Sequence, residues 1–307
     1  MLQKGSSMQH IVLSVIICTH NPRLNYLERV LQALKNQTLP TELWELLLID
    51  NASDKLLSSE VDLSWHPQSR YIREEKLGLT PARLRGIKET VAETLVFVDD
   101  DNVLDSDYLE VASKISKDWP ILGAWGGQIR PEFEEIPPDW TKPYWGALAI
   151  KEFDQDMWSN LLEAIPTGAG MCVRKIIAQK YSELTHNNQK RLLLDRRGKL
   201  LTSAGDLDLA RTTRDLNLGT GLFVALKLTH LIPAYRLQEK YLIRWLEGNS
   251  YSCTILNYIR GEVPPPVDFT WVRKLIDLYR LLRMKPRQRR FHQAWQRGRM
   301  LAIKEIL

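Results

Sequence analysis

Three consecutive carboxylates, Asp99, Asp100 and Asp101, follow directly on the apolar run Leu95-Val96-Phe97-Val98, and Asn102 comes next. Adjacent acids repel one another, so keeping all three ionised requires a cation or abundant water. A hard divalent ion with oxygen ligands, Mn2+ or Mg2+, meets that requirement. Successive residues of an extended stretch point to opposite sides, which sets Asp99 and Asp101 toward the same side. The pattern therefore reads as a metal and phosphate site. A solvated acidic turn is the competing reading, since Asp and Asn are common in turns. Such turns seldom follow an uninterrupted apolar strand.

The elements that must position these acids follow from the apolar pattern. An unbroken apolar run reads as a strand buried on both faces, and such strands belong to parallel sheets. In open α/β sheets the carboxyl ends of the strands are where ligands bind. Residues 13–18 form a second such run and end in Thr19-His20-Asn21-Pro22. Leu24, Leu27, Val30, Leu31 and Leu34 recur at helical spacing, so a helix follows. Residues 46–49 read as the next strand, closed by Asp50-Asn51-Ala52-Ser53-Asp54, and 71–74 as a short extended piece. Thr80 reads as a helix N-cap with Pro81 at the first helical position, and 82–91 as the helix. The alternation predicts a parallel or mostly parallel sheet. The polar clusters 19–21, 50–54 and 99–101 then converge on one crevice. No Gly-x-Gly-x-x-Gly or Walker-type loop is present to cradle phosphate with backbone amides. That leaves the phosphate charge to a metal at Asp99–Asp101.

The chain has 307 residues, 44% hydrophobic and 26% charged, as an ordinary globular protein does. Its three cysteines, Cys18, Cys172 and Cys253, are far apart and suggest neither a disulfide framework nor a CxxC metal site. Residues 1–10 lack a signal-peptide pattern, and no run approaches the roughly 20 apolar residues of a membrane span. A cytoplasmic location is the expectation, free or peripheral at the inner membrane face. The net charge of +5 is uneven: residues 271–307 hold 11 Lys and Arg against 2 Asp and Glu, which leaves −4 for the remainder.

These motifs, in this order, resemble family 2 glycosyltransferases of the GT-A fold, over roughly residues 11–230. Residues 15–21 resemble the family's opening strand and nucleotide-binding turn. Asp50 and Ser53 fall in a segment resembling Asp-x-x-Ser-x-Asp, whose first Asp holds the nucleobase, typically uracil. Residues 78–86 resemble Gly-x-x-x-Ala-Arg-Asn-x-Gly, with Arg83 on the Arg position and Leu84 in place of Asn. Asp99-Asp100-Asp101 resembles the Asp-x-Asp that binds ribose and the metal diphosphate. Residues 204–209 resemble Gly-Glu-Asp-x-x-Leu, with Gly205 in place of Glu and Asp206 on the position of the catalytic base.

The resemblance implies a GT-A-type α/β fold: a mostly parallel sheet flanked by helices, a nucleotide-binding half, an acceptor half and a C-terminal helical extension. The expected division is 1–260 for the catalytic domain (about 11–118 for nucleotide-sugar binding, 119–232 for the acceptor side) and 261–307 for the basic extension. It implies a metal-dependent inverting transfer from a nucleoside-diphosphate sugar, UDP-linked, to a saccharide or lipid-linked acceptor in surface polysaccharide or glycan synthesis. Thr19, His20, Asn21, Asp50, Ser53, Arg83, Asp99 and Asp100 are the expected donor-binding residues. Asp101, Asp99 and His230 are the expected metal ligands. Asp206 is the expected general base, against a competing role as a helix N-cap, with Asp208 as the second choice. Trp140, Trp145, Gly168 and Asp208 are placed on the acceptor side, with 165–172 as a small-residue strand behind it. Aromatic faces suit sugar C–H surfaces.

Several residues are read without chemistry. Trp125 is expected in the core, Arg236 and Lys240 on a solvated face with contact to the diphosphate as the alternative, and 190–201 as a charged loop. Beyond Pro233 two helical stretches are expected to 259, a linker at 261–266, a basic helix at 271–282 and a second at 291–307. Those basic helices either lie on an anionic membrane face or pack on the catalytic domain. Two other functions stay open at this point: a nucleotidyltransferase acting on sugar phosphates, and a nucleic-acid binder working through the basic tail. The acidic main body argues against nucleic acid as a partner.

Overall fold

The structure, a computed structural model, describes residues 10–161, 163–196, 201–262, 279, 281 and 283–307. It opens with β1 (Leu13–Thr19), α1 (Leu24–Lys35), β2 (Trp44–Asp50), β3 (Ser69–Arg73), α2 (Leu79–Glu89), β4 (Thr94–Val98), β5 (Asn102–Leu104) and α3 (Tyr108–Asp118). The second half adds β6 (Leu122–Phe133), β7 (Met157–Ser159), β8 (Cys172–Arg174), α4 (Lys175–Asn187), α5 (Gly205–Arg211), β9 (Gly219–Ile232), α6 (Glu239–Ile259) and α7 (Pro286–Ile306). One sheet runs β3-β2-β1-β4-β8-β6-β9-β5, with β7 on β9. Its first four strands are parallel, and Thr19 lies level with Asp50, and Asp50 with Arg73. That register gathers the polar strand ends at one edge. Beyond β4 the sheet is mixed: β8 runs antiparallel to β4 and β6, and β6 parallel to β9. The short β5 runs antiparallel to β9 with Asn102 opposite His230, which sets that histidine beside the acids.

Both faces of the parallel half are covered, which is why its strands read as unbroken apolar runs. Leu13, Val15 and Ile17 of β1 share one core with Leu27 and Leu31 of α1 and Ile115 of α3. Ile16 faces a second core with Ala82 and Ile87 of α2 and Ile177 of α4. Trp125 is fully buried in β6, as its strand setting implies.

Some boundaries differ from expectation for identifiable reasons. α2 begins at Leu79, not after an N-cap at Thr80, because the Thr80 hydroxyl donates to Asp195 instead of capping. Pro81 still sits in the first turn, where its missing N–H costs nothing. Residues 165–171 form a turn, not a strand, ending in the three-residue β8. α6 is one helix of 21 residues where two stretches were expected. Pro286 opens α7 and does not interrupt it. The expected helix at 271–282 and most of the expected linker at 261–266 lie outside the described residues. The apolar stripe of α7 is covered by protein: Phe291 stacks on Tyr144 at 4.0 Å, and Gly298 sits against the Glu247 backbone. Arg287 and Arg290 pair with Glu239, and Arg297 with Glu247, so part of the basic charge is neutralised on α6. Among the described residues no helix is long and apolar enough to cross a membrane.

His66 carries a pH dependence that is independent of the cleft. It is 2% exposed and edge-on to Trp44 at 4.1 Å. Its Nδ1 accepts from the Gln68 amide (3.2 Å), which leaves no room for a proton there. Burial pushes its pKa down from 6.5 to about 4, and Glu42 offsets only part of this. A depressed folded value means the neutral ring's contribution is complete above pH 6.5 and lost as pH falls toward 4. Urea unfolding at pH 7 and pH 4.5 is expected to show wild type losing on the order of 1–2 kcal/mol more than His66→Phe. Equal losses would remove His66 from the acid limb.

Candidate active site

The carboxyl ends of β1 and β4 open on a cleft of about 540 Å³, within the range of small-molecule sites. The turn after β1 forms one wall. Thr19 donates its hydroxyl to Asp100. His20 Nδ1 donates to the Asn51 carbonyl at 2.8 Å, which turns the ring into the cleft. Asn21 adopts φ 48°, a left-handed conformation that Asn tolerates, and its amide donates to Ser53 Oγ at 2.9 Å. Asn51 ties the strand ends together, donating to the Glu74 and Lys76 carbonyls and accepting from the Gly78 amide. Asp50 and Ser53 stand one layer behind, and neither lines the cleft. Asp50 accepts from the Ser53 amide at 3.0 Å and from Arg73 at 2.8 Å. Burial raises its pKa, but those bonds outweigh burial and hold it below the ordinary carboxylate value.

The three acids lie together on the cleft floor with a steep charge imbalance. Asp101 is 6% exposed and meets Arg236 Nη2 at 3.0 Å and His230 Nε2 at 3.4 Å. Burial alone would raise it; the Arg236 guanidinium overcomes this and keeps it ionised, well below the usual range. Asp99 is pushed up by burial and then by the Asp101 charge. Asp100 is pushed up to about 7 by burial and the same neighbour, with Thr19 opposing. So only one of the three has its full counter-charge. His230 Nδ1 donates to the Leu148 carbonyl at 2.8 Å, leaving a lone pair on Nε2 that accepts from Arg236 at 3.1 Å. That is the tautomer a metal ligand requires.

Asp99, Asp101 and His230, the expected metal ligands, thus line the same cleft. Among the described residues no three His, Cys, Asp or Glu side chains close around a point an ion could occupy. A divalent ion held here by one or two carboxylates would need substrate phosphates to complete its shell.

The opposite wall is built from α5 and the turn before β8. Asp206 is the second residue of α5, not its N-cap, which is Ala204. Its Oδ2 accepts from the Gly168 amide and its Oδ1 from the Leu207 amide, both at 2.8 Å. The space beside Gly168 is tight: a Cβ would fall 2.9 Å from Arg83 Nη2 and 3.1 Å from Asp206 Cβ, so a side chain there would press on both. Arg83 is 4% exposed, pairs with Asp195 at 2.9 Å, and lies within electrostatic reach of both Asp206 and Asp99.

Not every expected residue reaches the cleft. Trp140 lies under the Arg287 guanidinium (4.1 Å), and Trp145 packs on Phe133 (5.2 Å); their neighbours Gly146 and Leu148 line the cleft instead. Asp208 is fully buried between Arg191 and Arg260, turned away from Asp206 because residues two apart on a helix point to nearly opposite sides. Arg236 is buried on Asp101 and not solvated as expected, whereas Lys240 is exposed. Residues 190–201, read without chemistry, supply Asp195 and Arg196 to the cleft. Tyr241, Trp245 and Asn249 also line it, on one stripe of α6. Their i, i+4, i+8 spacing was visible in the sequence.

Comparison with known proteins places this arrangement. Polypeptide N-acetylgalactosaminyltransferase 3 of Drosophila melanogaster is 29% identical over 159 residues, which are 47% of this chain and 23% of that protein. N-acetylgalactosaminyltransferase 6 of the same fly is 33% identical over 92 residues, 28% of this chain and 14% of that protein. The chain thus spans under a quarter of either relative's length. S. aureus TarS 1–349 in complex with UDP superposes with a TM-score of 0.51 at 15% identity, covering 96% of this chain and 88% of that one. The complex of TarS with UDP-GlcNAc gives 0.51 at 14% identity, with 92% and 79% covered. At such identities the likeness is one of fold, and it is the expected GT-A fold. The family model described as glycosyl transferase family 2 matches residues 14–182. That span is more than half of the chain and carries the whole parallel sheet with its three acids, so this protein is a glycosyltransferase and belongs to glycosyl transferase family 2.

Proposed function

We propose that the enzyme performs a metal-dependent, inverting transfer of a sugar from a UDP-linked donor to a saccharide or lipid-linked acceptor in polysaccharide or glycan assembly. The observation that carries this reading is the sharing of one cleft by the acids Asp99–Asp101, the first two of them under-compensated, and the carboxylate of Asp206. TarS was solved with UDP and UDP-GlcNAc, and both fly relatives are named N-acetylgalactosaminyltransferases. UDP-N-acetylhexosamines are therefore the first donors to test. The family match favours this reading over the nucleotidyltransferase and nucleic-acid readings.

On this reading Thr19, His20, Asn21 and Asn51 wall the nucleoside, with Asp50 and Ser53 holding that wall from behind. Asp99, Asp100 and Asp101 face ribose and diphosphate. A divalent ion bound there supplies charge stabilisation to the departing diphosphate. Arg236 Nε is buried without a hydrogen-bond partner, a donor left for a phosphate oxygen. Asp206 receives the acceptor hydroxyl's proton as that oxygen attacks. A single displacement inverts the anomeric carbon. The packing of Phe291, Ala294, Gly298, Ala302 and Ile303 against the protein favours a position of α7 on the catalytic domain over one on a membrane face.

The test is release of nucleoside diphosphate from a panel of sugar nucleotides, with Mn2+, Mg2+ or a chelator. UDP release that needs both a divalent ion and an acceptor is the expected result. Failure of every sugar nucleotide either to react or to raise the melting temperature would sink the assignment. Tyr241 and Trp245 offer the acceptor an aromatic face. Trp245→Ala is expected to raise the acceptor KM on the order of 10-fold, from the loss of about 1–2 kcal/mol of ring contact, with the donor KM unchanged. An unchanged acceptor KM would move the acceptor elsewhere in the cleft.

A further inference from the structure

Gly205 stands where the segment that 204–209 resembles carries an acid, and the structure shows what occupies that place. A Cβ built on Gly205 falls 2.6 Å from Asp195 Oδ1 and closer still to Cγ and Oδ2. The Asp195 carboxylate therefore fills the volume into which a side chain at 205 would project. It arrives from a different segment, ten residues earlier. Two backbone bonds hold that segment: the Ala204 amide donates to the Leu194 carbonyl at 2.9 Å, and the Leu79 amide to the Arg196 carbonyl at 3.1 Å. The carboxylate is 4% exposed and receives Arg83 Nη1 at 2.9 Å and the Thr80 hydroxyl at 3.0 Å. The Gly205 amide donates to it as well.

We propose that Asp195 is the positioning residue of the cleft, a carboxylate relocated from the start of α5 to the neighbouring segment, which holds Arg83 against Gly168 and Asp206. Resting on the transferase reading above, this gives the charged segment 190–196 a role in the reaction. Arg83 is buried among Asp195, Asp206 and Asp99. Without Asp195, its guanidinium has two other anionic neighbours to choose from, both assigned to the chemistry. Drawn onto Asp206, it would hold the lone pair that must take the acceptor's proton. Asp195 thereby keeps Asp206 free while Arg83 remains in place. The absence of a side chain at 205 is the condition for this: any residue with a Cβ there would expel the Asp195 carboxylate.

The test moves the carboxylate back. In Asp195→Gly the volume is vacated, and in Asp195→Gly with Gly205→Asp a carboxyl group returns one carbon–carbon bond beyond the new Cβ, close to where it was. Asp195→Asn keeps shape and removes charge, which guards against a variant that does not fold. Asp195→Asn and Asp195→Gly are expected to lose at least about tenfold in kcat, and the double variant to recover most of the loss. Crystal structures of the same variants read the Arg83 guanidinium directly, whether or not the donor has been identified. It is expected displaced toward Asp206 or Asp99 in Asp195→Asn and restored in the double variant. Full kcat in Asp195→Asn, an unmoved Arg83, or a folded double variant no better than Asp195→Gly would overturn the proposal. Loss of all sugar-nucleotide turnover in wild type would instead count against the transferase reading and leave the Arg83 position as the deciding measurement.

Discussion

Asp206→Asn is expected to lower the transfer rate about 10²- to 10⁴-fold, the range that a positioned general base contributes. UDP binding should change little, because the side chain sits on the wall opposite the nucleoside residues. The substitution is nearly isosteric, but it is not neutral to the local bonds. Asp206 accepts from two backbone amides, Gly168 and Leu207, one on each oxygen. An amide side chain keeps one of these and turns an N–H toward the other, at a cost of about 1 kcal/mol. A small drop in melting temperature should therefore accompany a large drop in kcat, and the two are separable by magnitude. An interaction made only in the transition state lowers kcat and kcat/KM together, which is the signature to look for. A folded, UDP-binding Asp206→Asn protein with undiminished kcat would remove the base assignment. Asp208 would not replace it, since its carboxylate is enclosed by Arg191 and Arg260.

The parallel half was legible because its determinants are local. β1, β2 and β4 are buried on both faces, so each appears as an uninterrupted apolar run, and each ends in polar residues at the same edge of the sheet. The spacing of Leu27, Val30, Leu31 and Leu34 reports the buried side of α1 for the same reason. What was not legible is the fate of charged residues. Periodicity tells which apolar side chains go inside; it does not tell which acid will meet which base across the fold. Arg236 reads as solvent-facing until β9 and the turn after it are seen to deliver it onto Asp101. Asp195 and Asp208 are buried by arginines 112 and 17 positions away in one case each, and no local pattern announces such pairs. The aromatic residues failed differently. Trp140 and Trp145 sit in a proline-bearing stretch that resembles a binding loop, but their partner is Phe133 or the α7 helix far along the chain. Two of the aromatics that do line the cleft, Tyr241 and Trp245, are on α6, beyond the 14–182 span that marks the family.

Asp101→Asn is expected to act through two channels that the geometry keeps distinct. The first is stability. Arg236 is buried with Asp101 as its counter-charge, and removing one partner of a buried ion pair costs about 3–5 kcal/mol. The second is chemistry. On the proposed metal-dependent transfer, losing a charge that would hold the divalent ion removes several kcal/mol of stabilisation from the leaving diphosphate, on the order of a 10²- to 10⁴-fold loss of kcat. A chelator applied to wild type should reproduce the second effect without the first, because Arg236 already neutralises Asp101 when no ion is present. The double substitution Asp101→Asn with Arg236→Gln should reverse most of the stability loss, since the orphaned buried charge is gone, yet leave the activity loss in place. Melting temperatures and Mn2+-dependent UDP release on the same four samples separate the channels. If the chelator leaves wild-type transfer intact while Asp101→Asn abolishes it, the acid serves only to anchor Arg236, and the acids under β4 bind the diphosphate through arginine and not through an ion.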